Sequence, residues 1–159
     1  DVIYYLRKIT GVKKIGHCGT LDPLATGVLI CAIGRNATRR IDSFVNKSKE
    51  YIAEIKLGEV SDTYDAEGKI KKIIFEKKPS LFDINNILKE FIGEIKQVPP
   101  IYSAKKIKGV RSYDLARAGK EVKLNPVDIK INEIKLISYK FPKIKLKLIC
   151  MQLFFYFFL

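Results

Sequence analysis

A strict alternation of lysine with apolar residues limits how this chain can fold more than any other feature. It covers residues 143–148, and a second alternation over residues 50–57 puts tyrosine, alanine, isoleucine and leucine on one side. Successive side chains of a β-strand point to opposite faces, so each stretch predicts a strand with one apolar and one solvated face. Strands of this kind fit a sheet that packs one face on a core.

Capping residues, glycines and apolar runs predict the remaining elements. Predicted helices cover residues 2–9, 37–45, 81–91 and 112–118, and predicted strands cover 28–33, 50–57, 69–75, 101–107, 127–140 and 143–150. Ser80 with Asp83 resembles a capping box at the start of the third helix. A chain of 159 residues can bury one full core. We therefore predict an α+β fold with a mixed, largely antiparallel central sheet and flanking helices.

One acidic residue, Asp22, lies in a loop of small and turn-forming residues from Gly16 to Gly27. Glycines allow the backbone to approach a ligand closely, and Pro23 biases Asp22 toward an extended conformation. The sequence places no lysine or arginine between Lys14 and Arg35, so no sequence neighbour neutralises the carboxylate. These features favour a rigidly presented carboxylate. An ordinary turn is the alternative, since Asp-Pro pairs are common in turns.

The string GHCGTLDPLATG at residues 16–27 resembles the catalytic loop of the TruB/dyskerin family of pseudouridine synthases, G-H-x-G-T/A-L-D-P-x-A-T/S-G, and every fixed position is present. The similarity continues downstream in the family's order. It includes Thr38-Arg39, Lys49-Glu50-Tyr51, the segment 58–68 and the segment 98–109. The resemblance implies the pseudouridine synthase fold.

The same resemblance implies an activity and roles for particular residues. The activity is isomerisation of uridine to pseudouridine in RNA, with uridine-55 in the TΨC loop of tRNA as the expected target and no cofactor. Asp22 corresponds to the family's nucleophile, and Tyr51 to an active-site tyrosine that stacks on the target base. His17 corresponds to an RNA-contacting histidine, and Gly19 and Thr20 belong to the same substrate-binding loop. From its own sequence context, Tyr51 could equally be a core aromatic and His17 a structural residue.

A strongly basic composition agrees with an RNA partner. The chain has 30 lysines and arginines against 17 acidic residues, a formal charge of +13, which favours a densely anionic partner. A lysine-rich composition from an AT-rich genome is the alternative explanation. The segment of about 98–126 corresponds to the family's thumb-like clamp on the tRNA T arm. Its candidate RNA contacts are Tyr102, Lys105, Lys106 and Lys108, and Arg39 is a further phosphate-contact candidate.

The cysteines and the one histidine argue against a disulfide-stabilised protein and against a zinc-binding protein. Three cysteines without a C-x-x-C pair do not form a disulfide framework and fit a reducing, cytoplasmic setting. A single histidine and the lack of a cysteine cluster in the sequence argue against a zinc site. The apolar residues 153–159 are too few to span a bilayer. We expect a monomer that binds tRNA and that binds neither a metal ion nor a membrane.

Both ends of the sequence depart from the family pattern. We assign residues 1–150 to a partial catalytic core and residues 151–159 to an apolar tail outside the family. We expect that the tail results from a truncated reading of the coding sequence. An apolar C-terminal anchor is the alternative. The family's Y-I-R segment, whose arginine pairs with the catalytic aspartate, is expected after Cys150, and no arginine follows Arg117. We therefore expect weak or no activity from this chain, with a non-catalytic RNA-binding or RNA-folding module and a decayed, functionless product as alternatives.

Overall fold

The computed structural model describes residues 2–22, 24–45, 47–63, 65–98, 106–107, 109–118 and 124–151. Contacts within the chain divide it into two compact units, residues 1–47 and 48–159.

The first unit combines three helices with one antiparallel strand pair. Its elements are α1 (Val2–Thr10), β1 (Ile15–His17), β2 (Cys31–Ile33), α2 (Arg35–Thr38) and α3 (Asp42–Val45). The predicted first helix is confirmed. It ends at Gly11, which adopts a φ of 69° and whose N–H donates to the Arg7 carbonyl at 2.9 Å. A left-handed glycine just after a helix is a common helix stop.

Two predictions in this unit are wrong in extent. The buried strand expected over 28–33 is reduced to Cys31–Ile33, and Val28 is 89% exposed. The strand that pairs with it, β1, also has only three residues. The strand pairing therefore does not extend into the rest of the glycine-rich loop. The helix expected over 37–45 is split into α2 and α3. Hydroxyls of Thr38 and Ser43 bind carbonyls three residues earlier, at 3.1 and 2.7 Å, and compete with the helical ladder.

The second unit is built on a four-stranded antiparallel sheet. Its strands lie in the order β3 (Lys49–Lys56), β10 (Lys143–Cys150), β9 (Val127–Lys140) and β6 (Gly93–Gln97). The predicted strands β3, β9 and β10 are confirmed, and so is the α+β class. Strand β6 was not predicted, and its five residues pair with the start of β9.

One face of this sheet forms the core. The apolar side of β10 is completely buried, with Leu146 and Leu148 at 0% exposure. Helix α4 (Leu81–Glu90) contributes Ile84 and Leu88 to the same cluster. Burying one such side chain stabilises the fold by about 1.5–3 kcal/mol. The predicted capping box at the start of α4 is confirmed, with Ser80 and Asp83 each binding the other's backbone N–H.

The opposite face explains the lysine alternation. Lys145 lies 3.1 Å from the Glu54 carboxylate, and Lys147 lies 2.7 Å from that of Glu50. The hydrogen bond to Glu50 raises the pKa of Lys147 above its ordinary value. Exposed pairs of this kind contribute little stability, so the lysines chiefly keep this face solvated.

Two short strand pairs and a short helix are the other elements among the described residues of the second unit. β4 (Glu59–Ser61) pairs with β5 (Ile70–Lys72), and β7 (Lys106–Ile107) pairs with β8 (Val110–Arg111) ahead of α5 (Ser112–Arg117). The predicted strands over 69–75 and 101–107 are found in part, as β5 and β7. Residues 101–105 lie outside the described part of the chain, so the prediction for them stays open.

Candidate active-site loop

Strand β1 fixes the start of the loop that carries Asp22. Ile15 is buried and Gly16 faces the connection between α2 and α3. A Cβ on Gly16 would lie only 2.5 Å from the Ile41 Cδ1 atom. Glycine at this position therefore lets the α2–α3 segment pack directly against the strand that leads to His17.

His17 is the last residue of β1, and hydrogen bonds to β2 and to the residue before that strand fix its backbone. Its backbone pairs with Cys31 of β2, and the next residue, Cys18, donates from its N–H to the Ile30 carbonyl at 2.9 Å. The Nδ1 atom of its exposed side chain is hydrogen-bonded to the carbonyl oxygen of Gly19, whose φ is 116°. Cys18 is buried, as expected of a packing residue.

Asp22 begins a tight turn. The N–H of Ala25 donates to the Asp22 carbonyl at 2.9 Å, which closes four residues into a β-turn. Asp22 and Thr20 are both exposed, and two large apolar neighbours, Leu21 and Leu24, are exposed as well. The loop thus presents a carboxylate among apolar side chains on a backbone fixed at both ends.

Arg39 lines a cavity of about 460 Å³ in the first unit. The cavity is lined by Lys14, Ile15, Arg35, Thr38, Arg39 and Ile41. Three of these side chains are cationic, which suits an anionic group such as a phosphate. Sequence reasoning found Arg39 but missed Lys14 and Arg35. The sequence does mark these two residues, because they flank the stretch without lysine or arginine that contains Asp22. The β1–β2 pair closes this stretch, and the Gly34 N–H donates to the Lys14 carbonyl at 2.8 Å.

Tyr51 belongs to the second unit. It lies on β3 opposite Leu148 of β10, half-buried, and packs against the core cluster. The core-aromatic interpretation of its ring is therefore supported. A tyrosine in this position can also direct its polar end away from the core.

The described residues of 62–69 form a polar turn between β4 and β5. The Asp62 carboxylate accepts from the Lys69 N–H at 2.7 Å, and the Asp65 carboxylate accepts from the Glu67 N–H at 2.9 Å. A Cβ on Gly68 would collide with the Thr63 hydroxyl. These bonds assign the two aspartates to holding the turn, as expected from their position.

Three of the four candidate RNA contacts in the predicted clamp fall outside the described residues. Tyr102, Lys105 and Lys108 lie there, and Lys106 is described as a backbone position of β7 paired with Arg111 of β8. Within the described residues, no group of three or more histidine, cysteine or acidic side chains is placed to hold a metal ion. The described helices include none long and apolar enough to cross a membrane.

The fold and the loop agree with one class of protein, the pseudouridine synthases. The family model described as "TruB family pseudouridylate synthase (N terminal domain)" matches residues 7–155. The chain belongs to this family, as its motifs predict.

Individual relatives agree with the family model. The chain is 49% identical over 148 residues to the tRNA pseudouridine synthase B of Protochlamydia amoebophila, covering 91% of this chain and 55% of that protein. It is 45% identical over 150 residues to the protein of the same name from Clostridium tetani, covering 94% and 52%. The chain thus spans about half the length of these relatives.

Solved structures show the same fold. A crystal structure of a Cbf5–Nop10–Gar1 complex matches with a TM-score of 0.63 and 25% identity, over 94% of this chain and 34% of that one. An H/ACA RNP bound to a substrate RNA containing 2′-deoxyuridine matches with a TM-score of 0.60 and 22% identity, over 94% and 33%. The second likeness concerns the fold alone.

Proposed function

We propose that this chain carries the catalytic region of an enzyme that converts uridine to pseudouridine in tRNA, with Asp22 as the nucleophile. The observation that carries the proposal is the loop from Gly16 to Gly27. It contains every fixed residue of the family motif, and a strand pair and a turn hold its backbone on either side of Asp22. We place the catalytic region at residues 1–150 and an RNA clamp at about 98–126.

The reaction needs a carboxylate held against one nucleotide. The C1′–N1 glycosidic bond breaks, a C1′–C5 bond forms, N1 gains a proton and C5 loses one. Asp22 acts either as a nucleophile toward the sugar or base or by abstracting a ribose proton. Both routes require fixed geometry, because a positioned group reacts far faster than one that must first be oriented. The turn at Asp22 supports this requirement.

The target base must leave its stack before Asp22 can reach it. Extrusion costs a few kcal/mol, and contacts elsewhere must offset that cost. We assign phosphate contacts to Arg39 and the other cations of its cavity, because cation–phosphate contacts dominate affinity for nucleic acids. We assign base and sugar contacts to His17, Gly19 and Thr20, and stacking on the target base to Tyr51.

The proposal also covers the RNA partner, the oligomeric state, the cellular location and the cofactor. The RNA partner is the T arm of tRNA with uridine-55 as its target, and the thumb-like segment contributes Tyr102, Lys105, Lys106 and Lys108. The enzyme acts as a cytoplasmic monomer and uses no cofactor. The formal charge of +13 supports an RNA partner.

The test measures tritium released from an unmodified tRNA transcript that carries 5-tritiated uridine. The chain is compared with Asp22→Asn, which keeps the size of the side chain and removes its charge. The matched control is Asp42→Asn, an exposed residue at the start of α3. We expect weak release from the chain and from the control, and none from Asp22→Asn. A second transcript with cytidine at position 55 should release nothing.

Binding measured on the same transcripts separates the alternatives. Retained tRNA binding with no release from any variant would contradict the catalytic proposal for this chain and favour an RNA-binding module. Equal release from the chain and from Asp22→Asn would contradict the assignment of the nucleophile.

A further inference from the structure

Three lysines lie side by side across one end of the four-stranded sheet. Lys143 of β10 is directly opposite Lys56 of β3 on one side and Lys140 of β9 on the other. Residues directly opposite each other in antiparallel strands point to the same face, with Cβ atoms about 4.5–5.5 Å apart. All three lysines are exposed. Together, Lys56, Lys143 and Lys140 form the lysine row.

Backbone pairing holds the lysine row in register. Lys140 and Lys143 flank a hairpin whose turn consists of Phe141 and Pro142. The Leu57 N–H donates to the Pro142 carbonyl at 2.8 Å, which fixes the end of β3 to the same hairpin. The three lysine backbones therefore stay next to one another, however their flexible side chains turn.

The other lysines on this face of β10 have acidic partners. Lys145 lies opposite Glu54 and is bonded to its carboxylate at 3.1 Å. Lys147 lies opposite Lys135 of β9, but each of these two lysines is bonded to a glutamate at 2.7 Å. Where lysines meet elsewhere on this face, carboxylates thus compensate their charges.

Two members of the lysine row lack such compensation. Lys56 is bonded to Glu59 at 2.7 Å, whereas neither Lys140 nor Lys143 forms an ion pair within the part of the chain that the structure describes. Like charges directly opposite each other in a sheet are destabilising. Because Lys143 has a lysine on each side, the row lowers the stability of the free protein. Proteins retain destabilising residues where function requires them.

A fourth cation lies next to the hairpin. The Nζ atom of Lys78 is 5.2 Å from the centre of the Phe141 ring, and Phe141 directly follows Lys140 in the chain. Lys78 is exposed, like the members of the row. Lysines gathered at one end of a sheet create a positive potential, which attracts a partner with closely spaced negative charges.

We propose that the lysine row binds phosphates of the RNA backbone, in addition to the cavity of the first unit that Arg39 lines. An RNA strand carries one negative charge per nucleotide, so its phosphates can neutralise neighbouring lysines and remove their repulsion. The next row of this face consists of Glu54, Lys145 and Ser138. These polar neighbours favour RNA over a membrane surface, which basic side chains bind together with apolar ones. The choice of RNA rests on the function proposed above.

Urea unfolding at low and high salt tests the repulsion within the row. The variant is Lys143→Gln, and the matched control is Lys145→Gln, which removes the same charge from the same face of β10 but from a lysine bonded to Glu54. We expect the unfolding midpoint of Lys143→Gln to rise at low salt and the gain to vanish at high salt, where charges are screened. The control should show no gain. Equal midpoints for the two variants at low salt would contradict the proposal.

The salt dependence of binding to an unmodified tRNA transcript tests the partner. Each phosphate contact contributes about 0.7–0.9 to the slope of log K against log salt, so Lys140→Gln with Lys143→Gln should lower the slope by about 1.4–1.8. A fourfold rise in salt should then weaken binding by this variant about 7- to 12-fold less than binding by the unmodified chain. The control is Lys145→Gln with Lys147→Gln, which should lower the slope much less, because both lysines are already bonded to glutamates.

The outcomes separate the lysine row from the catalytic proposal. An unchanged slope in the row variant, or an equal fall in the control, overturns the RNA contact, while tritium release still reports on Asp22. A lowered slope in the row variant alone, with no tritium release from any variant, supports the contact and contradicts catalysis by this chain. Binding to vesicles of phosphatidylcholine and phosphatidylserine that is lost in the row variant, with an unchanged slope for tRNA, would assign the row to a membrane and overturn the proposal.

Discussion

Three cations line one cavity of the first unit, so neutralising them one at a time should lower the salt dependence of RNA binding in steps. The perturbations are Arg39→Gln, then Arg39→Gln with Arg35→Gln, then both with Lys14→Gln. Each phosphate contact contributes about 0.7–0.9 to the slope of log K against log salt. Three contacts therefore contribute about 2.1–2.7.

This slope sets the size of the effect. Raising salt fourfold weakens binding by about threefold for each phosphate contact, and by about 20- to 40-fold for three. Fluorescence anisotropy of a labelled T-arm hairpin over a potassium chloride series measures the slope for the chain and the three variants. Lys89→Gln on α4, an exposed lysine of the second unit, is the control for loss of charge alone.

Two results would refute the reasoning. A triple variant with an unchanged slope would mean that the cavity binds no phosphate. An equal fall of slope in Lys89→Gln would mean that RNA senses only the net charge of the chain. Circular dichroism of each variant confirms that the first unit remains folded.

Three further predictions concern stability, each measured by urea unfolding. Gly16→Ala should destabilise the first unit by about 1–3 kcal/mol, because its methyl group would overlap the Ile41 side chain, and Ile41→Val should restore part of the loss; no recovery would contradict this contact. Leu146→Ala should cost about 2–5 kcal/mol, because the side chain is completely buried in the sheet core, and a loss below 1 kcal/mol would contradict its place there. Hydrogen bonds from the Ser80 hydroxyl and N–H lower the pKa of Asp83 below its ordinary value. A depressed pKa in the folded chain means that this stabilisation is present above the pKa of the unfolded chain and is lost as pH falls through the folded value. The difference in stability between the chain and Asp83→Asn should therefore persist at neutral pH and shrink as pH falls below 3.8, the ordinary pKa of this carboxyl group, and a constant difference would refute the cap.

Local patterns were enough to predict strands β3 and β10 and helix α4 of the second unit. The alternation in β3 and β10 predicted which side chains are buried, because the two faces of a strand follow directly from the order of residues. The cap of α4 was equally visible, since its two partners are three residues apart. The pairing of β6 with β9 could not be predicted from the sequence. The two strands are far apart in the chain, and the five residues of β6 carry no distinctive pattern.

The candidate site also has features that the sequence determined and features that only the tertiary structure decided. The sequence by itself determined the family, the loop and the place of Asp22 within it, because a glycine-rich string around one carboxylate needs no distant partner to be recognised. Only the tertiary structure decided that Lys14 and Arg35 share a cavity with Arg39. Lys14 and Arg35 are 21 positions apart in the chain, and pairing of β1 with β2 brings them together. Such closeness depends on hydrogen bonds between strands, which residue order alone does not specify.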